Sequence, residues 1–236
     1  MSITLTVRPA TPDEHAGAIE VWRASLAGTG SRPSAARAAQ VAEKVDAAAF
    51  LLVVALVDDA VVGMALGEPG RLQHGAGELA PGLVHLTMVF VLPAHQRSGV
   101  GSALVEGLAD LAWARGYRQL SAWPRSTVTA ALALLASCGL ELADHTRRLP
   151  DGTTVEQWTA ELEAPVREVV LHSDGLRLGQ LLKLAEIIDT GAEAKTLLAE
   201  GGVVVNGEVE LRRGRQMVSG DVVSARDQTV ELVLPE

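Results

Sequence analysis

Residues 84–111 place the tightest restriction on how this chain can fold. An apolar segment, Leu83 to Leu92, passes through a turn with two glycines, Gly99 and Gly101, into a segment with apolar residues at helical spacing. A strand that turns into a helix in this way leaves the first helical N–H groups without partners, and the helix dipole adds to their attraction for an anion. We therefore predict an anion site, with a pyrophosphate as the expected anion. The alternative is a plain strand-to-helix connection whose glycines only permit tight turning.

Two common phosphate-binding patterns do not match this stretch. A nucleotide-hydrolysing phosphate loop needs Gly-Lys-Ser/Thr, and a dinucleotide fingerprint needs a third small residue where Leu104 stands. The pattern that is present, Gln96-x-x-Gly99-x-Gly101 between a strand and a helix, resembles the coenzyme A motif of the GNAT family of N-acetyltransferases. The resemblance implies acetyl-CoA as the cofactor and partner of this site.

The order of predicted elements agrees with that resemblance over residues 1–161. Strand and helix patterns follow one another as β-α-α-β-β-β-α-β-α-β-β, which resembles the GNAT acyl-CoA N-acyltransferase fold. The implied fold class is α+β (mixed α/β) with a central mixed sheet. A chain of 236 residues is long enough for a second domain beyond it.

The resemblance also implies which residues hold the cofactor. The strand before the turn would offer backbone groups to the pantetheine arm, and the turn with the first helical residues would hold the pyrophosphate. The residues in the first role are Met88, Val89, Phe90 and Val91, and those in the second are Gln96, Arg97, Ser98, Gly99, Val100, Gly101 and Ser102.

The catalytic groups depart from the family pattern. Many members carry an asparagine near the start of the next-to-last helix and, seven residues later, a tyrosine that acts as the general acid. This chain has Val128 at the asparagine position and Leu135 at the tyrosine position. His85 is our candidate general base, because an imidazole with a pKa near 6.5 can accept a proton at neutral pH. The alternative for His85 is a hydrogen-bonded core residue, and Glu78 lies close to it in sequence. We assign no role to Cys138 and no metal site.

The chain changes character near Pro165, so we predict a linker over residues 162–168 and a second domain over residues 169–236. The second segment resembles the S4-type RNA-binding domain, closest to its small free-standing bacterial branch. The residues that carry the resemblance are Arg177-Leu178-Gly179-Gln180-Leu181-Leu182-Lys183, Gly191-Ala192-Glu193-Ala194-Lys195, Glu200-Gly201-Gly202-Val203-Val204-Val205-Asn206-Gly207, Arg212-Arg213-Gly214-Arg215 and Gly220-Asp221. It implies a small αL-type RNA-binding domain and RNA or a ribonucleoprotein as a partner.

RNA recognition needs cations and amide donors on one face. The candidates are Arg177, Lys183, Lys195, Asn206, Arg212, Arg213 and Arg215. Residues 166–236 hold eight Lys and Arg against twelve Asp and Glu, so binding would depend on segregated charge. The alternative is an ordinary solvated surface.

The remaining features concern localisation and partners. A single cysteine excludes an internal disulfide and favours a reducing compartment. The N-terminal residues lack a secretory pattern, and the longest apolar run, residues 47–57, is too short to span a membrane, so we predict a cytoplasmic protein without a membrane partner. A net charge of −9 excludes coating of nucleic acid by bulk attraction but leaves room for a local basic patch.

We therefore predict an acetyl-CoA-dependent N-acetyltransferase that acts on a primary amine and is tethered to an RNA-binding module. The acceptor amine could belong to a small molecule or to a protein. The alternative is a catalytically degenerate GNAT fold that senses CoA or serves as a scaffold within an RNA-binding protein, as the residues at positions 128 and 135 suggest.

Overall fold

The structure, a computed structural model, describes residues 5–28, 30, 32–72, 77–170, 175–226 and 228–234. It divides into two compact units, Met1–Glu163 and Ala164–Glu236. Each unit has its own hydrophobic core. No described helix is both long enough and apolar enough to cross a membrane.

The first unit is a seven-stranded mixed sheet covered by helices. Its elements are β1 (Leu5–Pro9), α1 (His15–Gly28), α2 (Ala35–Asp46), β2 (Leu51–Val57), β3 (Ala60–Arg71), β4 (Leu79–Val91), α3 (Val100–Ala114), β5 (Gln119–Ala122), α4 (Thr129–Ser137), β6 (Glu141–Arg148) and β7 (Thr154–Glu161). The strand order is β1-β2-β3-β4-β5-β7-β6, and β4 and β5 are the parallel neighbours in an otherwise antiparallel sheet. This arrangement confirms the predicted fold class.

Helices cover both faces of the sheet, which explains why its central strands are almost entirely apolar. Helices α1 and α2 pack on one face around Trp22 and Met64, and α3 and α4 pack on the other face around Leu104 and Leu108. The feature of this sheet that positions the functional site is a gap between β4 and β5.

An irregularity in β4 opens that gap. Met88 pairs with Leu66 of β3 but Leu86 pairs with the next residue, Gly67, so Thr87 is an extra, bulged residue. Beyond this bulge β4 also leaves β5, because the parallel pairing of the two strands runs only as far as Leu86 and Ala122. A bulge bends a strand and ends its regular pairing, so β4 and β5 diverge from this point.

The second unit packs two short helices on a five-stranded sheet. Its elements are β8 (Val166–Val170), α5 (Leu178–Leu184), α6 (Gly191–Ala199), β9 (Val203–Val205), β10 (Glu208–Val209), β11 (Val222–Ala225) and β12 (Gln228–Val233). The strand order is β10-β9-β11-β12-β8, with β8 parallel to β12.

The segment expected to be a linker is partly structured. Its last three residues, Val166 to Glu168, belong to β8 and pair with residues 229–231 of β12. Without β8, the edge of β12 would present unpaired backbone groups, and pairing satisfies them. The strand is short and mostly exposed, and the charged residues Arg167 and Glu168 interrupt its valines, so it lacks the sequence pattern of a buried strand.

Candidate functional site

The turn before α3 has the geometry of an anion site. Arg97 and Gly99 both adopt positive φ, 62° and 85°, and successive amides in such a turn form a concave donor surface. Gly99 is the N-cap residue and has no side chain with which to cap the first amides of α3, those of Val100, Gly101 and Ser102. The first main-chain bond of the helix runs from the Ala103 N–H to the Gly99 carbonyl. These amides are therefore directed away from the helix, toward any ligand at its N-terminus.

Side chains of the turn brace it against β4. The Gln96 amide group donates to the Val91 carbonyl at 2.9 Å, and the Ser98 hydroxyl donates to the His95 carbonyl at 2.7 Å. Ser25 of α1 also donates to the Val91 carbonyl, at 3.1 Å. The side chain of Gln96 thus has a positioning contact within the protein, and its direct contact with a cofactor stays a prediction.

Only part of the β4 backbone faces the gap. The Leu92 N–H donates to the Val62 carbonyl of β3, and in an antiparallel pair alternate residues turn their groups toward the same neighbour. Met88 and Phe90 therefore direct their backbone groups to β3, whereas Val89 and Val91 direct theirs to the gap. Because the Val91 carbonyl already accepts bonds from Ser25 and Gln96, the groups that remain directed at the gap in the described part of β4 are those of Val89 and the Val91 N–H.

A cavity lies on the opposite face of the sheet from α3. Val84, Leu86 and Leu120 pack toward α3, so the alternating residues His85 and Ser121 point to the other face. There they line a cavity of about 220 Å³. Its polar lining consists of Glu68, Arg71, His85, Ser121, Arg147 and Gln157. His85 and Ser121 are register partners one step before the strands part, so the cavity adjoins the gap.

The environment of His85 favours a neutral imidazole. Burial lowers its pKa below the ordinary value, and the positive charges of Lys44 and Arg147 lower the pKa further, against the opposing effect of Glu68. The His85 Nδ1 lies 3.2 Å from the Ser121 hydroxyl. A neutral, hydrogen-bonded imidazole that lines a cavity can accept a proton at neutral pH.

The cavity brings together residues that sequence reasoning missed. Glu68, Arg71, Arg147 and Gln157 come from β3, β6 and β7, and Trp123 follows β5. In the sequence, these four residues are marked only by being charged or polar residues within strands. Glu78 is exposed and is not among the cavity residues, although it lies close to His85 in sequence.

In the second unit, two of the predicted RNA-binding arginines serve a buried carboxylate. Arg212 donates twice to Glu210, at 2.8 and 2.9 Å, and Arg215 donates to it at 3.2 Å. The Glu210 side chain is only 7% exposed. The bonds from Arg212, with those from Arg215, lower the pKa of Glu210 to about 2. Both guanidinium groups are therefore already engaged within the protein.

Asn206 also has an internal role. Its amide nitrogen donates to Asp221 at 2.7 Å, and its amide oxygen accepts from the Val222 N–H at 2.8 Å. The residue adopts a φ of 54° in the turn between β9 and β10, a conformation that asparagine tolerates. Its side chain ties that turn to the start of β11.

Arg213 is placed differently from its two neighbours. A Cβ on Gly179 would lie 2.6 Å from its Cγ, and one on Gly191 would lie 2.8 Å from an Nη atom. The arginine side chain therefore crosses the first turns of both α5 and α6 on a platform of two glycines. Among the ion pairs between described residues, none involves the exposed cations Arg177, Lys183, Lys195 or Arg213.

A model of the acetyltransferase (GNAT) family matches residues 19–140. The chain belongs to the GNAT family. A model of the S4 domain matches residues 169–233. The probable ribosome maturation protein RlbA of Bacillus subtilis is 46% identical over 55 residues, which cover 23% of this chain and 78% of that protein. The second unit is therefore an S4 domain, and both predicted resemblances are confirmed.

Solved structures show the same fold for the GNAT unit. The putative acetyltransferase yncA from Salmonella typhimurium, solved with acetyl-CoA, is 20% identical with a TM-score of 0.55, over 68% of this chain and 95% of that one. The ribosomal-protein-S18-alanine N-acetyltransferase from Escherichia coli is 21% identical with a TM-score of 0.52, over 67% and 94%. At these identities the likeness shows the fold alone.

The GNAT unit of this chain lacks a tyrosine acid where many relatives have one. Leu135 is 4% exposed and packs in the core beneath α3, and Val128 is the N-cap of α4. Cys138 lies close to Ser102 and Ser137, and burial raises the pKa of its thiol, which keeps it protonated at neutral pH.

Proposed function

We propose that the GNAT unit transfers an acetyl group from acetyl-CoA to an amine and that the S4 unit holds the protein on RNA. One observation carries the first part. The donor turn at α3 and the cavity at His85 lie on opposite faces of the sheet, and both adjoin the gap between β4 and β5. A thioester and an amine entering from the two faces would meet in that gap.

The turn before α3 and the edge of β4 would bind different parts of acetyl-CoA. We propose that the amides from Arg97 to Ser102 bind the pyrophosphate, in which case Gly99 must lack a side chain cap, as it does. The backbone groups of Val89 would pair with the pantetheine arm. A backbone N–H directed at the thioester oxygen would also stabilise the oxyanion, which is worth about 3 kcal/mol.

His85 would accept a proton from the acceptor. The ammonium form of the amine first loses a proton to the neutral imidazole, and the amine nitrogen then bonds to the acetyl carbon as the C–S bond breaks. The N-protonated amide then gives its second proton to water, because His85 already holds the first, and the departing CoA thiolate gains a proton. With Leu135 at the tyrosine position, we propose that the thiolate takes its proton from water, which its pKa near 8.5 permits.

Calorimetry and a coupled assay test this proposal. We expect acetyl-CoA to bind the full chain and CoA thiol to appear only when an amine is added. Because the pKa of His85 is lowered, the acidic limb of the kcat/KM profile should lie below pH 6.5 and disappear in His85→Gln. Absence of acetyl-CoA binding would contradict the proposal.

The second candidate, a CoA-binding protein without turnover, is supported by the buried Leu135. It predicts tight acetyl-CoA binding with no transfer to any amine and no effect of His85→Gln. The same pair of measurements therefore separates the two functions.

For the S4 unit, the ribosome maturation relative and the exposed cations support binding of RNA or a ribonucleoprotein. We propose that the two units, residues 1–163 and 164–236, act as tethered modules, so that RNA binding raises the local concentration of the enzyme. The proposed compartment is the cytoplasm. Fluorescence anisotropy with purified ribosomal RNA at graded salt tests RNA binding, and a salt-independent signal would contradict it.

A further inference from the structure

The cavity at His85 carries more positive charge than acetyl transfer alone requires. Arg71 and Arg147 bring two guanidinium groups to its lining. Glu68 is the one carboxylate among the described lining residues, and it is already paired with Lys44 at 2.8 Å. In a chain with a net charge of −9, this cavity is a locally cationic site. Such a site matches a ligand that brings negative charge.

Both arginines are exposed, and each has a contact with the protein that limits its motion. The Arg147 guanidinium lies over the Trp123 ring, 5.2 Å from its centroid, an arrangement that engages the face of the guanidinium and fixes its plane. Arg71 donates to the Gly77 carbonyl at 3.2 Å. Preorganised guanidinium groups lose little freedom on binding, and their N–H pairs match the oxygens of a carboxylate or a phosphate.

The remaining lining is suited to an amine rather than to a second anion. The neutral His85 and the hydroxyl of Ser121 can accept hydrogen bonds from an amine. An acceptor with an oxyanion on one side and an amine on the other would therefore find complementary groups at both ends.

The size of the cavity favours a small molecule. A volume of about 220 Å³ is smaller than the ~300–1,000 Å³ of pockets for drug-sized ligands. A free amino acid or a compound of similar size fits this volume, whereas most of a peptide would lie outside it.

We propose that the acceptor is a small primary amine that carries a carboxylate or a phosphate, with its oxyanion bound by Arg71 and Arg147 and its amine beside His85. This inference rests on the proposed acetyltransferase function and specifies its substrate class.

Matched amine pairs test the proposal on the full chain with acetyl-CoA. L-Alanine and L-alaninamide differ in the carboxylate, and phosphoethanolamine and ethanolamine differ in the phosphate, so the two pairs also distinguish the sources of the oxyanion. We expect kcat/KM to be about 10–100-fold higher for the anionic member of at least one pair, as for a charge-assisted hydrogen bond. Arg71→Gln and Arg147→Gln should each reduce that preference about tenfold or more, mainly through KM. Arg115→Gln, at the exposed C-terminal end of α3, should leave it unchanged.

Equal or reversed preference within both pairs would overturn the inference, as would faster acetylation of an alanyl-alaninamide than of L-alanine. If no amine is acetylated, titration calorimetry of the same pairs decides, and equal or absent binding of both members again overturns it. Failure of acetyl-CoA itself to bind would overturn the acetyltransferase proposal, whereas acetyl-CoA binding with transfer to neutral amines alone would overturn only the substrate class.

Discussion

The two units begin a helix in opposite ways. At α3, the residues before the helix leave the amides of Val100, Gly101 and Ser102 without a side-chain cap. At α5, the carbonyl groups of Arg215 and Arg213 accept from the amides of Leu178 and Gly179 at 2.9 and 3.0 Å. One helix start is therefore open to an anion, whereas the other is closed by the chain's own carbonyls.

This difference determines which backbone and side-chain groups of each unit remain available to bind a ligand. The GNAT unit can bind an anion with its backbone, because no carbonyl or side chain of the turn occupies the first amides of α3 in the way that the arginine loop occupies those of α5. The S4 unit has used the backbone of its arginine loop to cap a helix and two of the three arginine side chains to neutralise Glu210. It must bind RNA with side chains that remain exposed.

The largest expected effect comes from closing the open helix start. Gly99→Asp places a carboxylate beside the amides of α3, and space is available because a Cβ there meets nothing within 4 Å. At about 5 Å and an effective dielectric of 20, one extra negative charge opposes a bound anion by about 3 kcal/mol, or ~100-fold in affinity. Calorimetry with acetyl-CoA measures it.

Gly99→Asn is the matched control, since it places a neutral side chain of the same shape at the same positive φ. Asparagine and aspartate tolerate this conformation similarly. If Asp and Asn weaken acetyl-CoA binding equally, the added charge does not contribute, since the side-chain oxygen of either residue can cap the same amides, and the predicted electrostatic effect is wrong.

The next largest effect concerns the closed helix start. The folded-state pKa of Glu210, about 2, lies below its unfolded value near 4.5, so its ion pairs stabilise the S4 unit above pH 4.5 and are lost as the pH falls toward 2. We expect Glu210→Gln to lower the melting temperature of this unit by several degrees at pH 7, with a difference from the original protein that shrinks in acid.

Two probes separate the units in that experiment. All four tryptophans, Trp22, Trp113, Trp123 and Trp158, lie in the GNAT unit, so their fluorescence reports on it alone. Hydrogen exchange at buried amides of α5 reports on the S4 unit. A change in tryptophan unfolding with unchanged exchange in α5 would contradict the assigned role of Glu210.

A smaller effect distinguishes the arginines of the loop. Arg213→Gln should weaken binding to ribosomal RNA about 5–10-fold and reduce the salt slope by about 1, because an exposed cation that is not in an ion pair is removed. Arg212→Gln should change affinity about twofold or less, because Arg212 is engaged by Glu210. Anisotropy titrations at three salt concentrations compare them. Equal losses would show that the pairing with Glu210 does not decide which arginine meets RNA.

The sequence could predict the open helix start but not the closed one. Gln96, Gly99 and Gly101 form a local motif, and both family resemblances rest on similarly local residues. The role of Arg212 depends on the burial of Glu210, which packing of the whole unit decides. Local sequence patterns predict backbone geometry well, but they do not show which charged side chains form ion pairs in the folded protein.

The cavity was beyond sequence reasoning for a related reason. His85 was found because it is a titratable group next to the motif, whereas Arg71 and Arg147 are 76 positions apart in the sequence. A strand order of β4-β5-β7-β6 and the bulge at Thr87 bring them to one cavity. Neither the strand order nor the bulge has a local sequence signal.

The smallest expected effect tests the platform under Arg213. Gly191→Ala places a methyl group 2.8 Å from the end of the Arg213 side chain, which is flexible enough to move aside. The helix gains an alanine in its first turn, so stability should stay equal or rise slightly, while affinity for ribosomal RNA falls about twofold to threefold as Arg213 leaves its position. Gly214→Ala, where a Cβ meets nothing within 4 Å, is the matched control. RNA binding unchanged in Gly191→Ala but reduced in Arg213→Gln would mean that the charge of Arg213 matters and its placement across α5 and α6 does not.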